Sequence, residues 1–162
     1  ALFGPLYIGL TLSTLVSTRA LPSGEWLIVF IALVTWASDI GAYYAGTLWG
    51  RHPLAPSISP KKSLEGLAGG LALAMVVALL TQLWLVPQLT MLHALVLGLL
   101  MTGTGLVGDL CESAMKRAVG VKDSGGILPG HGGMLDRLDS LLFTAPTFYY
   151  YVTLVCGFSP LP

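Results

Sequence analysis

The chain has 162 residues, of which 54% are hydrophobic and only 10% are charged, and its formal net charge at pH 7 is zero. A soluble domain carries about 25% charged residues, so this composition excludes an ordinary water-soluble protein. A balanced net charge also argues against nucleic acid as a partner.

Long apolar runs divide the chain into five segments that approach the roughly 20 residues needed to cross a bilayer as a helix. The sequence therefore predicts an all-α, polytopic integral membrane protein with about five transmembrane helices in a single region, residues 1–162. The first residue is Ala, and residues 1–18 lack the pattern of a signal peptide. We therefore expect the chain to be the C-terminal part of a longer protein. The five predicted spans are Leu2–Thr18, Trp26–Trp49, Gly66–Val86, Thr90–Gly108 and Ser140–Phe158.

Two polar segments, at about residues 50–63 and 111–138, hold seven of the eight Lys and Arg residues, and only Arg19 lies elsewhere. Because successive spans alternate in direction, both segments are expected on one side of the membrane. Short cytoplasmic loops carry an excess of Lys and Arg. The sequence therefore predicts two cytosolic loops and a functional site on the cytosolic face. The expected location is a bacterial inner membrane.

Asp39 lies inside the second predicted span. A carboxylate within the membrane is costly unless it is paired or hydrated, which makes Asp39 a functional candidate. Tyr43 follows one helical turn later on the same face. The alternative is that Asp39 only reaches water at the cytosolic end or pairs with a neighbouring helix.

The fourth span continues into a charged segment in which Asp109, Glu112 and Lys116 share one helix face. Such a face could bind a metal ion at Asp109 and a phosphate at Lys116. A solvated amphipathic helix, with Lys116 and Arg117 at the lipid headgroups, would have the same pattern. The charge pattern leaves both interpretations open.

Residues 122–133 combine cations with glycine-rich backbone, which suits the binding of phosphate groups. The segment is not a P-loop, since no Gly-Lys-Ser/Thr follows the glycines. A flexible linker would have a similar composition. His131 alone is typical of a hydrogen-bonding partner more than of a catalyst.

Asp136 and Asp139 lie one turn apart at the start of the last span, where the helix dipole favours carboxylates. Together with Asp109 they form a plausible Mg²⁺ site, because Mg²⁺ prefers oxygen ligands. The Cys and His residues of the sequence do not have the spacing of zinc ligands. Lys61 and Lys62, just before a predicted helix start at Ser63, could hold a triphosphate or only interact with anionic lipids.

Three runs of these residues, Ser113–Arg117, Lys122–Asp123 and Leu128–Asp139, together resemble the signature of the phosphatidate cytidylyltransferases. Two upstream segments, Trp36–Gly46 and Ser59–Gly66, are also similar to that family. The resemblance covers about residues 36–139. Known members are longer, with further membrane helices ahead of this region.

The resemblance implies a nucleotidyltransferase that joins CTP to phosphatidic acid, giving CDP-diacylglycerol and pyrophosphate. It implies Mg²⁺, as more than one cation, held by Asp109 and Asp136 with Asp139 and Asp39 in support. The partners it implies are CTP, phosphatidic acid and the lipid bilayer, and a homodimer is considered as the assembly. The further catalytic residues expected are Lys116, Arg117, Lys122, Asp123, His131 and Arg137. The substrate-binding residues expected are Lys61, Lys62, Ser63, Glu65, Ser113, Gly132, Gly133 and Tyr43.

Related lipid enzymes, such as a CDP-archaeol synthase or a polyprenol kinase, would keep CTP but change the lipid or the group transferred. A CDP-alcohol phosphotransferase would need an Asp-Gly-x-x-Ala-Arg motif, which this sequence lacks. A transporter in which Asp39 and His93 line a path is an alternative from another class, and it would leave the loop signature without a purpose.

Overall fold

A computed structural model of the chain describes residues 3–121 and 135–159, without the side chains of Phe3, Asp136 and Arg137. The described residues form helices and one small hairpin. The helices are α1 (Phe3–Arg19), α2 (Gly24–Trp49), α3 (Leu64–Trp84), α4 (Met91–Ala118), α5 (Leu135–Leu138) and α6 (Leu141–Leu154). The hairpin consists of β1 (Pro53–Ala55) and β2 (Ser59–Ser63).

The five predicted spans coincide with α1, α2, α3, α4 and α6. Within the described ranges, α2, α3 and α4 are long and apolar enough to cross a membrane. Helix α1 has 17 residues and α6 has 14, which is short for about 30 Å of hydrocarbon. The length and apolar composition of a membrane span are therefore confirmed for three helices, and the count of five spans stays a prediction.

Side-chain caps explain where α3 and α4 begin. The hydroxyl of Ser63 accepts a hydrogen bond from the backbone N–H of Gly66 at 3.1 Å, which confirms the predicted helix start. The hydroxyl of Thr90 accepts one from the N–H of His93 at 3.3 Å. Helix α4 then runs without a break past Asp109 to Ala118. The charged segment and the fourth span are one rigid element.

Helices α2 and α3 pack through small residues. A Cβ atom added to Gly41 would lie 2.6 Å from the backbone oxygen of Gly69, and one added to Gly70 would lie 2.8 Å from that of Ser38. Near one end of the pair, a Cβ atom on Gly66 would lie 2.9 Å from the backbone oxygen of Ala42. The second half of α2 thus faces the first turns of α3, and the contacts run in opposite directions along the two helices, so the helices are antiparallel and their backbones nearly touch.

Large apolar side chains fill the opposite half of the bundle. Phe30, Leu97 and Phe148 are fully buried, and the ring centroids of Phe30 and Phe148 are 5.5 Å apart. They come from the first halves of α2 and α4 and from the second half of α6. We call this region the packed end; its buried members also include Leu27, Ile31, Val34, Ala78, Ala94, Met101 and Val152.

Two local features differ from the sequence prediction. Residues 50–63 were expected to be a loop, but β1 and β2 form an antiparallel hairpin with Pro53 opposite Ser63, which departs from an all-α fold. The prolines concealed the strands, because proline is confined to strand edges and first positions. The segment 136–139 was expected to open the last span, but Asp136 lies in the separate helix α5 and α6 begins after Ser140.

Candidate active site

A cavity of about 420 Å³ lies at the end of the helices away from the packed end. We call this region the cavity end. Its walls come from α2, β2, α3, α4 and the turn before α6. The volume is within the range of small-molecule sites, about 300–1,000 Å³. Seven of the residues selected from the sequence line it: Asp39, Tyr43, Lys61, Lys62, Ser63, Asp109 and Asp139.

Three carboxylates from separate elements reach this cavity. Asp39 comes from α2, Asp109 from α4 and Asp139 from the turn before α6. A Cβ atom added to Gly108 would lie 2.6 Å from the backbone oxygen of Asp139, so only glycine allows the turn to approach α4 here. The packing of Gly108 therefore places Asp139 beside Asp109.

The surroundings of Asp139 show that negative charge is crowded in the cavity. Burial raises the pKa of Asp139 above its usual value, and the charge of Asp109 raises it further. The opposing influences are a hydrogen bond from the Ser140 N–H to Asp139 Oδ1, at 2.7 Å, and the charges of Lys62 and Lys116. A cation bound here would relieve this repulsion.

The hairpin supplies the positive charge. The ammonium group of Lys62 forms an ion pair with Asp109 Oδ2, and the two side chains are 21% and 33% exposed. Lys61 also lines the cavity, and Ser63 links β2 to the start of α3. The two segments predicted to lie on one side of the membrane therefore meet at one end of the bundle.

Glu65 holds the base of this hairpin. Its carboxylate accepts hydrogen bonds from the backbone N–H groups of Arg51, at 3.1 Å, and His52, at 3.2 Å. It also pairs with His52 Nδ1 at 2.5 Å. Glu65 was predicted to bind substrate, but it is not among the cavity-lining residues. In the structure it ties the beginning of the hairpin to α3.

The last turns of α4 carry a second group of charges. The hydroxyl of Ser113 donates to Asp109 Oδ1 at 3.4 Å, and Lys116 Nζ lies 3.0 Å from Glu112 Oε2. Glu112 is 1% exposed, whereas Arg117 is exposed. The interpretation of this face as a fully solvated amphipathic helix is therefore wrong for Glu112 and Lys116, because their charges are paired inside the protein.

Sequence reasoning did not select Glu112 as a site residue, because an acidic residue near a helix end is usually solvated. It also missed four hydroxyl-bearing residues that line the cavity: Ser38, Ser59, Thr102 and Ser140. Ser38 and Ser140 are adjacent to Asp39 and Asp139, and that adjacency was the available signal.

Several predicted site residues lie outside the described residues. Lys122, Asp123, His131, Gly132 and Gly133 belong to the segment 122–134. Asp136 and Arg137 lie in α5, and nothing is described of their side chains. Their roles stay predictions.

The donor set suits Mg²⁺ more than a metal held by protein alone. Within residues 3–121 and 135–159, no three His, Cys, Asp or Glu side chains are placed to hold a metal ion among themselves. Mg²⁺ usually binds one or two carboxylates and completes its shell with water and substrate phosphates. The cavity offers carboxylate oxygens and already draws a cation, the Lys62 ammonium, to Asp109. The residues present therefore fit Mg²⁺.

Asp39 and His93 lie at opposite ends of the bundle. Asp39 is at the cavity end, whereas His93 is in the first turn of α4, at the packed end. The ring Nδ1 of His93 lies 2.9 Å from the hydroxyl of Tyr151. The cavity that Asp39 lines does not include His93, so the described residues give the transporter interpretation no support.

Comparison with known proteins gives a consistent result. Residues 1–155 match the sequence model of the cytidylyltransferase family. The Escherichia coli K12 protein YnbB, which is named as uncharacterized, is 46% identical over 139 residues, covering 86% of this chain and 46% of YnbB. The phosphatidate cytidylyltransferase of Bacillus subtilis is 43% identical over 150 residues, covering 92% of this chain and 56% of that protein.

A third relative is the phosphatidate cytidylyltransferase of Mycobacterium tuberculosis H37Rv. It is 45% identical over 133 residues, covering 82% of this chain and 40% of that protein. The chain therefore spans about half the length of these relatives.

Proposed function

Because this chain belongs to the cytidylyltransferase family, we propose that it forms the catalytic region of a phosphatidate cytidylyltransferase. Such an enzyme transfers CMP from CTP to phosphatidic acid and releases pyrophosphate. The Bacillus and Mycobacterium relatives carry that name, which supports the choice of substrates. The proposal rests mainly on the ion pair between Asp109 and Lys62, which come from distant segments and line one cavity.

In the proposed reaction, a phosphate oxygen of phosphatidic acid attacks the α-phosphorus of CTP. The new P–O bond forms as the bond to the β-phosphate breaks, and pyrophosphate leaves. The attacking phosphate is already anionic, so a strong general base is not needed. Positioning and neutralisation of negative charge are the main requirements, as in phosphoryl transfer generally.

The basic residues at the cavity end can neutralise the negative charge of the phosphate groups. Lys61 and Lys62 would bind the triphosphate from the hairpin side. Lys116, with Arg117, Lys122 and Arg137, would bind phosphate groups from the α4 side. Further roles in the site are proposed for Asp123 and His131, and substrate contacts for Tyr43, Ser63, Ser113, Gly132 and Gly133. For Glu65, which does not line the cavity, we propose an indirect role in substrate binding through the hairpin.

Asp109 and Asp136, supported by Asp139 and Asp39, would hold Mg²⁺, and we propose more than one cation. Bound Mg²⁺ supplies positive charge to the phosphate oxygens. The carboxylates of Asp39, Asp109 and Asp139 already line one cavity, and this supports the assignment. Release of Lys62 from Asp109 would free its ammonium for the nucleotide.

We also propose that the cavity opens toward the cytosol of a bacterial cell, at the inner membrane. Arg51, Lys61, Lys62, Lys116 and Arg117 lie at the cavity end, while Arg19 lies at the other. This distribution supports a cytosolic cavity end, because cytoplasmic loops are rich in Lys and Arg. CTP is available on that side.

The proposal is tested with membranes that contain the full-length protein, Mg²⁺ and CTP labelled at either the α- or the γ-phosphate. We expect α-label to enter the lipid when phosphatidic acid is supplied, and γ-label to leave as pyrophosphate. Transfer of the γ-label to the lipid would identify a lipid kinase instead. Labelling of an archaeol lipid, with phosphatidic acid inert, would identify a different lipid substrate.

A further inference from the structure

Glu112 is a buried carboxylate that the proposed reaction does not use. It lies on α4, is 1% exposed and is among the largest fully buried side chains of the described residues. Burying a charged carboxylate is costly unless a partner compensates the charge. A residue of this kind at the cavity end therefore requires an explanation.

Its carboxylate pairs with Lys116, one turn later on the same helix. The distance from Lys116 Nζ to Glu112 Oε2 is 3.0 Å, and the side chains are 18% and 2% exposed. A lysine near a helix end normally extends its ammonium group into water or toward headgroups. The neighbouring Arg117 is exposed, so the inward position of Lys116 is specific to that residue.

The inward position brings Lys116 near the carboxylates of the cavity. Its positive charge acts on Asp139, which lines the cavity, although Lys116 itself is not a lining residue. The ion pair with Glu112 thus places the ammonium group at the same end of the bundle as Asp139.

We propose that Glu112 is a positioning residue: it holds the ammonium group of Lys116 inside the cavity end, ready for a substrate phosphate. The use of Lys116 for a phosphate rests on the proposed function, whereas its retention by Glu112 does not. A buried ion pair adds little stability compared with apolar residues of the same size. Positioning therefore explains the pair better than a contribution to folding.

The first test measures how accessible Lys116 is, independently of activity. The full-length protein in detergent is labelled briefly with acetic anhydride, and modification of each lysine is measured by mass spectrometry. In Glu112→Gln we expect labelling of Lys116 to rise about threefold or more, because the amide cannot hold the ammonium by charge. Lys61, which is exposed, is the internal reference.

Glu25→Gln is the matched control for this labelling. Glu25 pairs with Arg19 at 2.9 Å, but both side chains are more than half exposed and lie at the packed end. It should leave Lys116 labelling unchanged. Unchanged labelling of Lys116 in Glu112→Gln would overturn the proposal. If that variant does not accumulate, Glu112→Met, which also removes the charge and has a similar length, replaces it, with the same two outcomes.

The second test separates positioning from folding. Glu112→Gln should lower the melting temperature and reduce kcat/KM for CTP about tenfold, since it removes the buried carboxylate that pairs with Lys116. The double variant Glu112→Gln/Lys116→Met removes both charges, so the melting temperature should recover while activity stays low. Recovery of activity along with stability would mean that the pair is only structural.

Failure of the proposed function would look different. Wild-type protein would then transfer no CMP, while Lys116 labelling would still respond to Glu112→Gln. Loss of this inference alone would leave CMP transfer intact and labelling unchanged.

Discussion

The two ends of the helical bundle are packed in different ways. At the packed end, large side chains such as Phe30, Leu97 and Phe148 fill the space between helices. At the cavity end, Gly41, Gly70 and Gly108 bring backbones together, and charged and hydroxyl-bearing residues surround the space that remains. Within a lipid environment, both kinds of contact can hold helices, since association depends on close packing.

The residues that stabilise the bundle and the residues proposed for the reaction therefore lie at opposite ends of the same helices. Helix α4 contributes Leu97 to the packed end and Asp109 to the cavity. Changes at the packed end should therefore affect mainly unfolding, and changes in the cavity should affect mainly activity. Most of the following variants test one side of this separation, and Gly41→Ala tests the helix contact that affects both.

The largest expected effect is on activity, from Asp109→Asn. The variant removes a charge that pairs with Lys62 and that is proposed to hold Mg²⁺. We expect CDP-diacylglycerol formation to fall by about a thousandfold, the upper range for loss of one electrostatic group. Asp136→Asn should have a similar effect. Transfer of CMP is measured in membranes, with insertion checked by immunoblotting.

Glu25→Gln is the control for these variants, because it removes a carboxylate that is paired at the packed end. Its activity should equal that of the wild type. Near-normal activity in both Asp109→Asn and Asp136→Asn would remove the metal assignment.

At the packed end, Phe30→Ala should lower the stability and leave CTP binding unchanged. Loss of the ring leaves a void beside Phe148 and should reduce the free energy of unfolding by about 3 kcal/mol. The folded fraction should keep its KM for CTP. Thermal unfolding in detergent measures the loss of stability, and enzyme kinetics measures the KM for CTP. Leu10→Ala, at an exposed side chain, is the control for stability.

A smaller effect is expected from Gly41→Ala, which tests the close packing of α2 on α3. The new Cβ atom would lie 2.6 Å from the backbone oxygen of Gly69, so the helices must move apart. We expect a loss of about 2 kcal/mol in stability and reduced activity, because Ser38 and Asp39 would shift with α2.

Gly103→Ala is the matched control, because a Cβ atom there would have nothing within 4 Å. It removes a helical glycine and should stabilise the protein by up to about 1 kcal/mol. Equal unfolding temperatures for the two alanine variants would contradict the proposed role of close backbone contact.

The smallest effect is expected from Glu65→Gln at the base of the hairpin. The amide oxygen can still accept a backbone N–H, but the ion pair with His52, whose side chain is 72% exposed, is lost. Such exposed pairs are worth less than about 1 kcal/mol. The KM for CTP should rise by about threefold through looser placement of Lys61 and Lys62. A loss as large as that of Asp109→Asn would instead indicate that Glu65 contacts substrate.

Much of the helical framework could be predicted, since apolar runs of membrane length and the caps at Ser63 and Thr90 are local features. The meeting of Lys62 with Asp109 was also predictable in outline, because alternating spans place both segments on one side. The hairpin was not, since its strands are short and contain prolines. Nor was the burial of Glu112, because it depends on how distant helices surround the end of α4.

Our proposal is that opposite charges from the hairpin and from separate helices converge to bind a nucleotide through a cation. It is tested most directly by equilibrium binding of labelled CTP to the detergent-solubilised protein, with and without Mg²⁺, in the wild type, Lys62→Met and Asp109→Asn. We expect wild-type binding to depend on Mg²⁺ and each variant to weaken it about tenfold or more. Wild-type affinity in both variants, or tight binding without Mg²⁺, would contradict the claim.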